Sequence, residues 1–294
     1  MQPDVDGAPD AIIMDLGNTL VDSRPRRTFA DLKEEHDRLS RLRELLKEVS
    51  EYYYDLRGEH FKFVIITGSS FDYTVARIEM YRLWELRGVE VIIASENGLY
   101  AQSFRRGVLW RFELLDEYKE GVKRVCEAAE KYKGLFYLQG NTIRTTFRAI
   151  DPVYFDEVFV PFIVEVGKEL GFLLYEGGDL SPSRVGTMYW HKGDALDIDP
   201  FKGVVDGEEV EFPGKAYPIR RLSREIKHAM VVGDGLNDIP MFDAAHSLGY
   251  ACFTVKNHSL GDKLPPYVTR IDEFQAEAIN VLLERVLAKL KNRV

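Results

Sequence analysis

Ala11-Ile12-Ile13-Met14-Asp15-Leu16-Gly17-Asn18-Thr19-Leu20 is the stretch on which the reading of this chain turns. Four apolar residues run into an aspartate, and one residue further on come Gly17 and Asn18. An unbroken apolar run bounded by turn formers predicts a strand buried on both faces. Asp15 then stands where the strand emerges at its carboxyl end, the edge at which open parallel sheets place ligands. A carboxylate there can act as nucleophile or metal ligand. Taken alone it is equally a turn residue or helix N-cap, so the neighbouring elements decide.

Outward from this strand, apolar residues recur at threes and fours over residues 32–56, which predicts one long amphipathic helix with a narrow seam. Such a seam suits a helix lying on a sheet or, because it repeats like a heptad, a helix–helix contact in a dimer. Residues 63–66 predict a second buried strand ending in Thr67-Gly68-Ser69-Ser70. A helix follows over 73–86 with Gly88 as its C-cap, then a third strand over 89–94 that ends at Ser95-Glu96-Asn97-Gly98. Strand alternating with helix is the pattern of a parallel, doubly wound sheet. It resumes with a helix over 217–227 carrying Pro218 in its first turn, and a strand over 229–232 closed by Gly233-Asp234-Gly235-Leu236-Asn237-Asp238. A short helix (240–246), a strand (250–255) and an amphipathic helix (274–290) complete it.

Between these halves the rhythm changes. A hairpin is expected over 99–112, a helix over 115–132, short strands near 135–138 and 143–150, a helix over 153–170 and a strand over 172–175. Strand candidates follow at 187–190 and 204–212. The whole predicts an α/β protein: a doubly wound, Rossmann-like core over 10–98 and 215–294, an inserted α+β domain over 99–214, and a loose tail over 1–9.

With 294 residues the chain is long enough for two domains with ample core. Its formal net charge of −9 argues against a general nucleic-acid or membrane-surface binder. No apolar run approaches the ~18 residues of a membrane span, and residues 1–9 lack the basic-then-apolar signal of a secretory leader. The two cysteines, Cys126 and Cys252, match no metal or redox spacing and suggest a reducing compartment. A cytoplasmic protein, monomeric or homodimeric, is the expectation.

Three strands thus end in Asp15, in Thr67 and in the pair Asp234/Asp238, and a parallel sheet gathers such ends along one edge. Facing carboxylates are costly unless a cation sits between them, and hard oxygen ligands favour Mg²⁺. Thr67 offers a hydroxyl and backbone N–H groups to a phosphate oxygen, and a lysine would neutralise charge during transfer. Asp15 is the natural in-line nucleophile.

These residues resemble the four motifs of the haloacid-dehalogenase-like superfamily of aspartyl-phosphate enzymes: Asp15-Leu16-Gly17-Asn18-Thr19, Thr67-Gly68-Ser69, a lysine, and Gly233-Asp234-Gly235-Leu236-Asn237-Asp238. The last run, with Ile239-Pro240-Met241-Phe242 after it, is the most specific. The long insertion and Glu96-Asn97-Gly98 resemble the sugar-phosphatase branch (Cof-like, mannosyl-3-phosphoglycerate phosphatase-like). The resemblance implies that Asp15 attacks phosphorus and that Asp15, Asp234 and the Gly17 carbonyl hold Mg²⁺. It implies that Thr67, Gly68, Lys215 and Asn237 contact the substrate, that Asp238 orients ligands or the lysine, and that a small phosphorylated metabolite binds under the cap.

Two lysines compete for the third motif. His191-Lys192-Gly193-Asp194-Ala195-Leu196 carries the family's local wording, but Pro200 cuts any helix that Lys192 starts. Lys215 opens the helix that feeds the Asp234 strand, and position favours it. The departure from the family is Gly17, where its phosphatases carry a second Asp that protonates the leaving group and then activates water. Glycine keeps the backbone carbonyl and loses that acid/base; P-type ATPases and phosphonatases also lack it. His191, Glu176 and Asp179 are candidate substitutes. The rival readings are a catalytically silent relative that binds a phosphorylated ligand or a protein partner, and a phosphonate-cleaving enzyme, which would need a Schiff-base lysine from a cap after the first motif.

Overall fold

In a computed structural model, residues 8–22, 28–141, 143–176, 180, 182–212 and 214–292 are described. The chain divides into two compact units, Met1–Leu109 with Lys215–Val294, and Trp110–Gly214. Residues 1–7 of the expected tail lie outside the described residues, whereas Ala8 and Pro9 are buried.

In the first unit, strands β1 (Ala11–Met14), β2 (Phe61–Ile66) and β3 (Val89–Ser95) are buried at every position, Lys62 and Glu90 near their starts included, as strands covered on both faces of a parallel sheet are. Helices α1 (Phe29–Arg57) and α2 (Phe71–Ile78) separate them. A hairpin, β4 (Tyr100–Ser103) and β5 (Gly107–Arg111), continues this sheet, with β4 antiparallel to β3. The boundary expected at 98/99 lies ahead of this hairpin, whereas the observed division at 109/110 falls within β5.

The second unit carries β6 (Glu113–Leu114), α3 (Asp116–Ala129), β7 (Phe136–Leu138) and β8 (Thr145–Ala149). The helix expected over 153–170 is α4 (Pro152–Tyr154) and α5 (Val160–Glu169) joined by one π-helical stretch, Phe155–Phe159. Then come β9 (Phe172–Leu174), β10 (Gly186–His191), β11 (Ala195–Pro200), β12 (Lys202–Val205) and β13 (Glu208–Glu211). Strand order is β7-β8-β11-β10-β9 in one sheet and β13-β12-β6 in the other. Leu196, Ile198, Phe147, Met188, Phe159 and Ile163 form this unit's core. One expectation fails here. The single strand over 204–212 is a hairpin, β12 with β13, turning at Asp206 and Gly207, both left-handed at φ 54° and 82°. The segment after Lys192 is β11, which pairs antiparallel with both β10 and β8, so no helix starts there.

The first unit resumes with α6 (Ala216–Leu222), β14 (Ala229–Gly233), α7 (Ile239–Ser247), β15 (Ala251–Thr254), β16 (Val268–Arg270) and α8 (Gln275–Lys291). Its sheet runs β16-β15-β14-β1-β2-β3-β4-β5. β1 is parallel to both neighbours, Met14 pairing with Val232 on one side and Ile65 on the other. That register brings the ends of β1, β2 and β14 side by side.

The α1 seam is filled within the chain. Leu39, Leu42, Leu46, Val49 and Tyr53 share one core with Ile279, Leu282, Leu283, Val286 and Leu290 of α8. Each such buried side chain contributes about 1.5–3 kcal/mol. Arg41 pairs with Glu277, and Lys291 with Glu48 at 2.6 Å, along the border. The helix starts in a capping box, Thr28 with Asp31, and stops at Gly58, which takes the left-handed conformation at φ 69°. The heptad-like spacing therefore served an intramolecular helix pair.

Asp10 fixes the beginning of β1. Its carboxylate accepts hydrogen bonds from Tyr53 Oη, Arg57 Nη1 and the backbone N–H groups of Lys227 and His228, at 2.9–3.0 Å. One buried side chain so ties α1 and β14 to the strand that carries Asp15. Among the described residues, no helix is long and apolar enough to cross a membrane.

Candidate active site

Asp15 follows β1 directly, its N–H donating to Val232 O at 3.0 Å, so the β14 ladder holds its backbone. A tight turn then reverses the chain: Leu20 and Val21 both donate to Leu16 O, and Asn18 donates to Val21 O. Asn18 takes φ 53°, a left-handed conformation that Asn tolerates. This turn places Gly17 beside Val21, half-buried, and brings Thr19 Oγ1 to Asp234 Oδ1 at 2.9 Å.

Across the sheet, β14 ends in Gly233 and runs into Asp234 and the turn Leu236–Asp238. Asp238 is fully buried. Its Oδ2 accepts the N–H groups of Asp234 (2.8 Å) and Gly235 (3.0 Å), closing the turn on itself. Its Oδ1 accepts from Lys215 Nζ at 2.6 Å, and the same ammonium donates to Asp15 Oδ1 at 2.7 Å. Lys215 is only 1% exposed, at the N-cap of α6.

The electrostatics follow from this packing. Burial pushes the Asp15 carboxyl up to about 6; Lys215 draws it down and Asp238 raises it again. Asp234 is held well above the usual carboxylate range by burial first, then by Asp238 and Asp15. Burial opposes the charge on Lys215, but the two aspartates outweigh it and its pKa lies above the ordinary lysine value.

Asp15, Asp234 and Asp238 each bring an oxygen within 4.8 Å of the others. Asp238 is committed to Lys215 and to two backbone N–H groups, so Asp15 and Asp234 are the pair suited to a cation. Three buried carboxylates face one ammonium, and a divalent cation is the charge that balances them. An all-oxygen donor set fits a hard cation such as Mg²⁺.

A pH dependence follows. Folded Asp15, near 6, binds protons more tightly than the unfolded residue, near 3.9. Its contribution to stability is fully present below the unfolded value and is lost as pH rises through about 6. Lys215 stays charged throughout this window. In EDTA, urea melts are expected to show a stability gain from Asp15 of about 1 kcal/mol on going from pH 7.5 to pH 5. Saturating Mg²⁺ should flatten the trend, whereas stability that rises with pH in EDTA would contradict this charge balance.

Among the other sequence candidates, Thr67 is buried just past β2, its Oγ1 accepting from Ser69 N–H at 3.1 Å. Gly68 follows in the same loop, and Asn237 is half-buried on the Asp234–Asp238 turn. Lys192 is an exposed residue in the turn between β10 and β11. His191, on β10, sets Nε2 2.9 Å from Asp197 Oδ2. Glu176 also belongs to the second unit, and Asp179 lies outside the described residues.

Two supporting residues escaped the sequence reading. Ser259 donates to Asp234 O through both its N–H (2.7 Å) and its Oγ (3.1 Å), and Thr254 Oγ1 donates to Gly233 O at 2.8 Å. Thr19 sits inside the first motif and could have been assigned from it, but Ser259 lies in a loop with no local pattern.

No protein-family model and no curated protein matches the chain. Solved structures do. A sucrose-phosphatase from Synechocystis sp. PCC6803, solved in complex with sucrose and phosphate, aligns over 94% of this chain and 97% of its own, at 17% identity and a TM-score of 0.55. A haloacid dehalogenase-like hydrolase from Bacteroides thetaiotaomicron aligns over 94% and 98%, at 17% identity and a TM-score of 0.59. A HAD/COF-like hydrolase from Plasmodium vivax aligns over 97% of each chain, at 13% identity and a TM-score of 0.60. What is shared at these identities is the fold: an α/β core sheet interrupted by an inserted α+β unit.

Proposed function

We propose that this haloacid-dehalogenase-like fold carries a Mg²⁺-dependent phosphohydrolase or phosphotransferase, working through an aspartyl-phosphate at Asp15. The observation that carries the reading is the buried ammonium of Lys215 held between Asp15 and Asp238, with Asp234 alongside, at the carboxyl edge of a parallel sheet. A merely structural ion pair would not add a third buried carboxylate, because its desolvation costs stability.

The roles follow from the contacts. Asp15, largely ionised at neutral pH, attacks phosphorus along the axis of the departing oxygen. Lys215 keeps that carboxylate charged and lies beside the position of the incoming phosphoryl oxygens. Asp238 positions the lysine. Thr67, Gly68 and Asn237 offer hydroxyl, backbone and amide donors to the phosphate. Asp15, Asp234 and the Gly17 carbonyl would hold Mg²⁺, which when bound supplies charge neutralisation at the phosphoryl group. The sugar-phosphatase relative makes small sugar phosphates the first substrates to try.

Gly17 favours a second reading, a relative that binds a phosphorylated ligand without turning it over. Phosphate release from a panel of sugar, aryl and acyl phosphates, with Mg²⁺ or EDTA, separates the two. Release that depends on Mg²⁺ supports the enzyme; ligand binding with no release supports the silent relative. The metal assignment has its own check. In calorimetric titration, Asp234→Ala is expected to weaken Mg²⁺ by at least about tenfold, of the order of one lost charge-assisted contact, and unchanged affinity would remove the metal site.

A further inference from the structure

We propose that the turn Glu96-Asn97-Gly98 at the end of β3 is a positioning element for the phosphate site, gripping the Thr67 loop on one side and the first turn of α6, hence Lys215, on the other; this rests on the phosphoryl-transfer reading given above.

Two consecutive N–H groups of the turn hold the loop. Asn97 N–H donates to Thr67 O at 2.7 Å and Glu96 N–H donates to Ser69 O at 2.9 Å. They clamp the backbone on both sides of Gly68, while Thr67 N–H donates to Ala94 O at 2.9 Å. The loop expected to contact phosphate is thus fixed by backbone bonds to the end of β3.

The other side of the turn meets α6. A Cβ built on Gly98 would lie 2.2 Å from Cγ and 2.7 Å from Cδ of Pro218. The Gly98 backbone therefore lies flush against the proline ring. Pro218 is the third residue of a helix whose N-cap is Lys215, and Ala216, Tyr217, Pro218, Ile219 and Leu222 are all buried. A ring with fixed φ has little freedom to yield, so displacement at Pro218 passes to Lys215 and its contacts with Asp15 and Asp238.

The backbone conformation supports a role beyond turning the chain. Glu96, Asn97 and Gly98 have φ of 52°, 59° and 99°, three left-handed residues in a row, and Glu96 and Asn97 are almost completely buried. Of the three only Glu96 is strained there, since Asn and Gly take this region readily, and such strain persists only where the surroundings over-determine it and gathers at functional sites. Here the surroundings are the Thr67 loop and Pro218.

The test uses the whole chain, with inorganic phosphate in Mg²⁺ as the calorimetric probe and p-nitrophenyl phosphate as the kinetic one. Gly98→Ala is expected to weaken phosphate, and to lower kcat, by about tenfold or more, the cost of misplacing groups by a fraction of an ångström. KM should change less than kcat, and cooperative melting should persist. Adding Pro218→Ala clears the ring atoms and leaves the Cβ at 3.6 Å. The double variant is expected to recover at least about threefold of the lost phosphate affinity, the coupling of residues in contact. Asn97→Gly should lose less phosphate affinity than Asn97→Ala, because only the second is strained at this φ; this pair decides if Gly98→Ala does not fold. Gly98→Ala with native affinity, a loss that Pro218→Ala leaves untouched, or equal affinities for the two Asn97 variants would overturn the assignment. A native protein that turns over no ester would sink the phosphoryl-transfer reading alone, since the phosphate affinities still decide the role of the turn.

Discussion

Lys215→Met is expected to lower kcat/KM on any phosphate ester that the native protein hydrolyses by about 10²–10³-fold, the effect of removing one preorganised charge donor from a water-poor site. The matched Lys192→Met should leave it unchanged. The contrast comes from placement. Lys215 is fully buried, with Asp15 at 2.7 Å and Asp238 at 2.6 Å, while Lys192 is exposed in a hairpin turn. Removing the ammonium also leaves Asp15 and Asp238 facing each other without a counter-charge. Breaking a buried pair by deleting one partner costs about 3–5 kcal/mol, part of which protonation of Asp15 offsets. Steady-state kinetics with urea melts of both variants provide the check. If only Lys192→Met impairs turnover, the K-G-x-A-L wording was the better guide and Lys215 is a structural lysine.

The second large effect is expected from Gly17→Asp. With glycine at this position the leaving oxygen departs unprotonated, so aryl and acyl phosphates should be far better substrates than alkyl phosphates. A restored acid/base should raise turnover of alkyl esters by about 10²–10⁴-fold, equivalent to about 3–5 kcal/mol of barrier. It should also flatten the dependence of rate on leaving-group pKa. A rate series over graded leaving groups, run on native and variant proteins, measures both. A shallow series in the native protein would mean that another group already donates the proton. Unchanged alkyl rates in a variant that still binds Mg²⁺ would mean that the new carboxylate does not reach the leaving oxygen.

The core strands were legible because parallel-sheet burial demands continuous apolar runs, and β1, β2, β3 and β14 have them. The meeting of Asp15, Lys215, Asp234 and Asp238 was legible for the same reason: strand ends and helix starts in a doubly wound sheet share one edge. Elements whose logic lies in distant partners were not. β11 reads Ala-Leu-Asp-Ile-Asp-Pro, and it is absent from the strand candidates at 187–190 and 204–212. In the fold Asp197 pairs with Arg144 and with His191, and Arg144 Nε lies 3.4 Å from Asp199 Oδ1, so the polar face of that strand is compensated largely from one arginine far away in the sequence. The helix expected over 73–86 stops at Ile78 and continues as two short 3₁₀ turns joined at Arg82, left-handed at φ 46°. There the burial of Tyr81 and Leu83 overrides helix periodicity. Ser259 could not be seen at all, since its partner is a backbone carbonyl.

Covalent phosphorylation of Asp15 is the central claim, and acid-quench labelling tests it most directly. The protein is mixed with a radiolabelled acyl phosphate and Mg²⁺, quenched in acid within the first turnover, digested and mapped by mass spectrometry. The expected result is a hydroxylamine-sensitive phosphoryl group on Asp15. It should accumulate in the native protein, because Gly17 leaves its hydrolysis without a base, and be absent in Asp15→Asn. Turnover without any label on Asp15, or turnover that survives Asp15→Asn, would contradict it.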